Sequence, residues 1–77
     1  MSNADNVRVG QQIANLRRAA GITRREFAKR VGITSQQLIE YEEGARVVPA
    51  SHLWDIAIAQ DVPLIFYFED DKGDGDS

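Results

Sequence analysis

Apolar and polar residues alternate along most of the chain with the spacing of an α-helix. The first stretch predicts an amphipathic helix that begins near Val7 and ends at Gly21, because its apolar residues fall about one turn apart on one face. Those residues are Val9, Ile13, Leu16 and Ala20. Ile22 follows the glycine and is expected to enter the core.

Two further helices each carry a start signal, a threonine followed three residues later by a long polar side chain. Thr23 precedes Glu26, and Thr34 precedes Gln37. Each pair predicts a capping box, in which the hydroxyl accepts from a first-turn N–H and the Glu or Gln accepts from the threonine N–H. Gly32 lies between the pairs, where a left-handed conformation ends a helix without a Cβ penalty. Two short helices around a glycine turn are the layout of a helix-turn-helix.

The apolar residues of these two helices predict faces that meet in one core. The expected buried residues are Phe27, Ala28 and Val31 in the second helix, Leu38 and Tyr41 in the third, and Ile33 in the turn.

The second half of the chain begins with a predicted loop, residues 46 to 50. Pro49 lacks an N–H and disfavours helical geometry at the preceding residue. Ser51 is suited to cap a fourth helix, residues 52 to 60. Its inner face is expected to hold Leu53, Ile56 and Ala57.

A fifth short helix is predicted from Pro63 to Phe68, because proline suits a first helical position. The segment is apolar almost all round, with two aliphatic residues followed by three aromatic ones. Two interpretations stay open: a homodimer covers the excess apolar surface, or the segment simply closes the base of the core. No strand pair is indicated, so the predicted fold class is all-α with five helices.

The composition limits the chemistry available to the chain. Its 77 residues predict one small domain with a modest core. They include no Cys and a single His, His52, so we expect no disulfide, no metal site, no cofactor and no enzymatic activity. No apolar run is long enough to span a membrane. We therefore expect a cytoplasmic protein with no membrane partner and no obvious small-molecule ligand.

The net charge of −3 is unusual for a protein that binds nucleic acid, but the charges are unevenly placed. Five of the 12 acidic residues lie in the last nine positions, so residues 1 to 68 hold seven acids and eight bases, a net +1. The tail, residues 69 to 77, is acidic and poor in apolar groups, which predicts disorder. Its aspartates lack the spacing and the closing Glu of a calcium loop.

Four motifs together resemble the phage repressor and Cro-like (XRE) helix-turn-helix family. They are Gly21-Ile22-Thr23, Glu26-Phe27-Ala28, Gly32-Ile33-Thr34 and Tyr41-Glu42-x-Gly44. The resemblance extends over residues 7 to 68 and implies a compact, five-helix, lambda-repressor-like DNA-binding domain. It further implies a transcriptional regulator, most often a repressor, whose third helix enters the major groove. The family usually binds a palindromic operator as a homodimer.

The start of the third helix carries the residues expected to read bases. They are Ser35, Gln36, Gln37 and Glu40. By family position Ser35, Gln36 and Glu40 correspond to base-facing sites, and Gln37 to a site near the backbone or the neighbouring base. Short or amide side chains suit that end of a recognition helix, and a Gln can pair with both N6 and N7 of adenine. Glu40 would be repelled by phosphate but could accept from cytosine N4. The alternative is an ordinary solvated helix face.

Residues expected to contact the DNA backbone flank the reading helix. They are Arg17, Arg24, Arg25, Thr34 and Arg46. The resemblance also implies a structural salt bridge between Arg17 and Glu42. Only Arg46 is charged in the loop after Gly44, and Glu40 and Glu43 add repulsion, so we expect tight DNA binding to depend on pairing with a second copy or on an adjacent module. The alternative function is a protein-interaction or antitoxin-like adaptor with the same helical fold.

Overall fold

The computed structural model describes residues 3 to 69, which form four α-helices and one 3₁₀ helix without any strand. They are α1 (Asn3–Ala19), α2 (Arg24–Val31), α3 (Ser35–Glu43), α4 (Ala50–Gln60) and the 3₁₀ helix (Leu64–Phe68). The all-α class is confirmed. No helix in this part of the chain is both long and apolar enough to cross a membrane.

One hydrophobic core holds the helices together. α1 packs against α3, α4 and the 3₁₀ helix, while α2 packs against α3 and α4. The buried core residues are Val9, Ile13, Phe27, Ala28, Leu38, Tyr41, Leu53, Ile56, Ala57 and Tyr67. The spacing of apolar residues predicted nine of these ten, but Ala20, expected on the inner face of α1, is exposed.

The prediction of a fifth α-helix is wrong, because Leu64–Phe68 form a 3₁₀ helix. The Phe66 N–H donates to the carbonyl oxygen of Pro63, three residues back, at 3.0 Å. Pro63 lies before the first helical residue with an extended backbone, leaving only five residues. So short a segment forms few i→i−4 bonds and suits the tighter i→i−3 pattern.

Two helices begin earlier than their sequence signals indicate. α1 starts at Asn3 rather than near Val7. α4 starts at Ala50, so Ser51 lies inside the helix, and Pro49 takes the cap position without a side-chain hydrogen bond. The carbonyl oxygen of Pro49 accepts from the Leu53 N–H at 2.9 Å, which adds the first turn.

The apolar segment near the end of the domain is divided between core and surface. Tyr67 is fully buried, whereas Ile65 and Phe68 are 61% and 52% exposed. The Tyr67 hydroxyl donates to Gln60 Oε1 at 2.6 Å, and Gln60 Nε2 donates to the carbonyl oxygen of Ile13 at 3.0 Å. These bonds attach the 3₁₀ helix to α4 and α1. The predicted disordered tail lies, apart from Glu69, outside the described residues.

Candidate nucleic-acid interface

The two capping boxes fix where α2 and α3 begin. At α2, Thr23 Oγ1 accepts from the Glu26 N–H at 3.1 Å, and Glu26 Oε1 accepts from the Thr23 N–H at 3.2 Å. At α3, Thr34 Oγ1 accepts from the Gln37 N–H at 3.0 Å, and Gln37 Oε1 accepts from the Thr34 N–H at 2.9 Å. Each box satisfies two backbone donors that a helix start leaves without partners.

The turn between α2 and α3 depends on Gly32. Its φ of 92° lies in the left-handed region, which a side chain would make costly. The N–H groups of Gly32 and Ile33 both donate to the carbonyl oxygen of Ala28, at 2.8 and 3.0 Å. Ile33 then packs against the core. The turn therefore sets α3 at a fixed angle to α2.

The first turn of α3 presents polar side chains to solvent. Ser35 and Gln36 are exposed, and Gln37 is half-buried. Gln37 Oε1 already accepts in the capping box, so the group left for DNA is the amide nitrogen, which donates. Ser35 and Gln36 are thus the members of the predicted base-reading set whose side chains are exposed.

Glu40, the fourth predicted base-reading residue, contacts two other members of the predicted site. Arg46 Nε donates to Glu40 Oε1 at 2.8 Å, and Gln36 Nε2 donates to Glu40 Oε2 at a longer 3.4 Å. Hydrogen bonds from Arg46 and then Gln36 hold the pKa of Glu40 below its ordinary value. The structure therefore brings Gln36, Glu40 and Arg46 together on one side of α3.

Glu42 is the centre of a second cluster, in which one carboxylate contacts two arginines. Arg17 Nε lies 2.7 Å from Glu42 Oε2, and Arg24 Nε lies 2.8 Å from Glu42 Oε1. Arg17 also donates through Nη1 to the carbonyl oxygen of Ile22 at 2.9 Å. Burial raises the pKa of Glu42, but hydrogen bonds from both arginines and their positive charge outweigh it and lower the pKa. The cluster joins α1, α2 and α3.

The arginines predicted to contact the DNA backbone differ in how available they are. The Arg17 side chain is 9% exposed and that of Arg24 is 37% exposed. Arg25 is exposed, and within residues 3 to 69 no ion pair holds it. Thr34 is exposed as well, and its hydroxyl hydrogen stays available while the oxygen accepts from Gln37.

Among the contacts of this region that sequence reasoning missed, three are side-chain bonds that join α3 to another part of the chain. Two are the bonds from Arg24 to Glu42 and from Arg46 to Glu40. The third is a 2.7 Å hydrogen bond between the Tyr41 hydroxyl and Nδ1 of His52. The two ion pairs had only a weak sequence signal: α3 carries three glutamates, and Arg24 and Arg46, which lie before and after it, had no assigned partner.

Comparison with known proteins identifies relatives of the whole domain. A family model described as helix-turn-helix matches residues 13 to 66. The chain is 38% identical over 73 residues to an uncharacterised HTH-type transcriptional regulator of Sinorhizobium medicae, covering 95% of this chain and 52% of the relative. It is 39% identical over 67 residues to a transcriptional regulator in the ATPase CF(0) region of Rhodospirillum rubrum, covering 86% and 62%. The chain thus spans roughly half to three-fifths of the length of these relatives.

Two crystal structures share the fold. The restriction-modification controller protein C.AhdI from Aeromonas hydrophila superposes with a TM-score of 0.79 at 29% identity, covering 84% of this chain and 98% of that one. The clp gene regulator ClgR from C. glutamicum superposes with a TM-score of 0.77 at 22% identity, covering 83% of each chain. The second likeness concerns the fold alone.

Proposed function

The chain belongs to the XRE-type helix-turn-helix family, and we propose that it is a transcriptional regulator that binds double-stranded DNA sequence-specifically. The observation that carries the proposal is the exposed first turn of α3. Ser35 and Gln36 project from a helix whose start is fixed by the Thr34 capping box. A fixed helix end with short and amide side chains suits the major groove. The transcriptional regulators among the relatives support the same assignment.

Backbone contacts in this proposal come from the residues around that helix end. Arg25 and Thr34 are exposed there, and a phosphate accepts bonds from both side-chain types. Arg24 and Arg46 keep their terminal nitrogens available, because each uses Nε for its carboxylate. Arg17 has a mainly structural role, since its guanidinium is bonded to Glu42 and Ile22. A phosphate contact by Arg17 is secondary.

Dimeric binding to a palindromic operator, with repression as its outcome, is the finer part of the proposal. Trp54 and Ile58 lie one turn apart on α4 and are 56% and 64% exposed, and Ile65 is 61% exposed. Large apolar side chains with this exposure suit contact with a second copy. Two copies double the phosphate contacts available to a domain of low net charge. A regulator of this kind acts in the cytoplasm, beside the chromosome.

Salt-dependent DNA binding tests the proposal. The probe is a duplex carrying a palindrome from the protein's own promoter, compared with a random duplex of equal length between about 50 and 200 mM salt. We expect tighter binding to the palindrome and a linear fall of log affinity with log salt. If the folded protein shows neither a preference for the palindrome nor a dependence of its affinity on salt, the proposal is contradicted and the protein-interaction adaptor is favoured.

A further inference from the structure

Glu40 stands among the expected base-reading residues, yet both of its carboxylate oxygens already accept hydrogen bonds within the protein. Arg46 donates to one oxygen at 2.8 Å and Gln36 to the other at 3.4 Å. The Glu40 side chain is 28% exposed, against 63% for Arg46. These bonds use about two of the four acceptor sites of the carboxylate and fix its orientation toward Arg46 and Gln36, and its paired charge repels phosphate less than a free one would.

The contact with Glu40 also determines how Gln36 presents its amide. An ionised carboxylate only accepts, so the end of the amide that faces Glu40 is the nitrogen. One N–H then points to Glu40, which leaves the second N–H and the carbonyl oxygen for DNA. Those two groups are the pair that binds N7 and N6 of adenine. Glu40 therefore favours one of the two possible orientations of the Gln36 amide.

Arg46 is fixed by the same carboxylate in a way that leaves its terminal nitrogens available. The bond to Glu40 uses Nε, and Nη1 and Nη2 make no hydrogen bond within residues 3 to 69. A guanidinium held at Nε presents two parallel N–H groups, the geometry that binds two phosphate oxygens together. Arg46 follows the C-terminal end of α3, whereas the N-terminal end enters the groove in a helix-turn-helix. Phosphate is thus its favoured partner.

We propose that Glu40 is a positioning residue that couples base reading to backbone binding, orienting Gln36 toward an A·T pair and Arg46 toward a phosphate. The inference rests on the proposed function. It implies that Arg46, without touching a base, contributes to discrimination at the base pair read by Gln36. It also implies that Glu40 selects no base pair of its own.

Selection of bound duplex sequences by the wild type, Gln36→Ala, Glu40→Ala and Arg46→Ala tests this coupling. We expect Gln36→Ala to reduce preference at one A·T pair about tenfold. Glu40→Ala reduces preference several-fold at that same pair and at no other. Arg46→Ala weakens binding to all duplexes and also reduces that preference, but loses the second effect in a Glu40→Ala background. Arg25→Ala is the control, which weakens binding while leaving every preference unchanged.

Two results overturn the inference while leaving the proposed function intact. One is loss of preference in Glu40→Ala at a different base pair from Gln36→Ala, since Glu40 would then read its own base. The other is full preference retained in either Glu40→Ala or Arg46→Ala. If wild-type protein shows no preference at all, the proposed function fails and the inference fails with it.

A measurement without DNA tests whether Arg46 and Glu40 pair at all. It therefore distinguishes the two results above from the absence of that contact. Carbon-13 titration of the Glu40 carboxyl should give a pKa below the ordinary value in the wild type and a higher one in Arg46→Ala. An unchanged pKa contradicts the pairing itself, whatever the DNA results. Thermal unfolding of each variant ensures that changed preferences do not reflect lost structure.

Discussion

Arg17 in α1 and Glu42 in α3 form a buried, two-point ion pair. Arg17 Nε donates to Glu42 Oε2 at 2.7 Å, and Arg17 Nη2 donates to Oε1 at 3.2 Å. The same carboxylate accepts from Arg24 at the start of α2. One side chain, 1% exposed, therefore fixes the angles among three helices, and with them the direction in which α3 projects.

Replacing Glu42 with Gln is expected to destabilise the domain by about 3–5 kcal/mol, because it leaves the buried Arg17 without its counter-ion. Urea denaturation measures the change in unfolding free energy. Glu43→Gln is the matched control, since Glu43 is the exposed neighbour and its change should stay within about 0.5 kcal/mol. Equal destabilisation by the two substitutions contradicts a structural role for the Glu42 cluster.

The Glu42 carboxylate should make the stability of the domain depend on pH. Burial raises the pKa of Glu42, yet the bonds and charges of Arg17 and Arg24 lower it overall from the ordinary value of 4.5. A carboxyl whose folded pKa is lowered contributes its stabilisation above the unfolded pKa, and loses it as pH falls through the folded pKa. We expect the stability difference between wild type and Glu42→Gln to be full near pH 7 and to shrink progressively below about pH 4.5. A difference independent of pH excludes Glu42 as the titrating group.

Local interactions explain why much of the helix-turn-helix could be predicted from the sequence. A capping box joins residues three apart, so Thr23 and Thr34 reveal both helix starts without knowledge of the tertiary fold. Gly32 does the same for the turn. The bond from Arg24 to Glu42 spans 18 residues and depends on how α2 and α3 pack, which local patterns do not specify. The family resemblance supplied the Arg17 and Glu42 pairing but not this third member.

The type of the last helix and the first residue of α4 were harder to predict from local sequence patterns. The segment Leu64–Phe68 has the composition of a buried helix, but burial of Tyr67 fixes only one face of it. Its length and the extended backbone at Pro63 decide in favour of a 3₁₀ helix. In α4, Ser51 is a good cap by type, but Pro49 already starts the helix.

Gly10→Ala should destabilise the protein although alanine is the better helix former. A Cβ at Gly10 would collide with the carbonyl oxygen of Tyr41 and lie 2.7 Å from that of Glu42, so α1 and α3 would have to separate. Overpacking of this kind costs about 1–3 kcal/mol, against a gain of about 0.5–1 kcal/mol in an open helix. Urea denaturation with the exposed Gln11→Ala as control decides the sign. A more stable Gly10→Ala protein contradicts the close helix contact.

Base reading and backbone binding should respond differently to single substitutions. Gln36→Ala is expected to cost about 1–3 kcal/mol on the preferred duplex and little on random DNA. Arg25→Ala should weaken both equally and reduce the salt slope by roughly one. Arg25 is a cleaner test than Arg24, whose bond to Glu42 also supports the fold. Arg18→Ala, at an exposed position of α1, controls for the lost charge. The assigned roles are contradicted if all three variants change the affinities for the preferred and the random duplex in the same way.

Ile58→Asp should separate dimerisation from folding. Ile58 is 64% exposed, so a charge there costs a monomer little, whereas burial of that charge between two copies is strongly unfavourable. We expect a wild-type dimer and a variant monomer by sedimentation equilibrium at micromolar concentration. The variant should lose affinity for a palindrome with half-sites about 34 Å apart but bind a single half-site as the wild type does.

Ser51→Asp adds the same charge at an exposed position of α4 and should leave both the dimer and the affinity for the palindrome unchanged. If Ile58→Asp remains a dimer, the exposed apolar face of α4 is not the interface, and the excess affinity for palindromes must come from elsewhere.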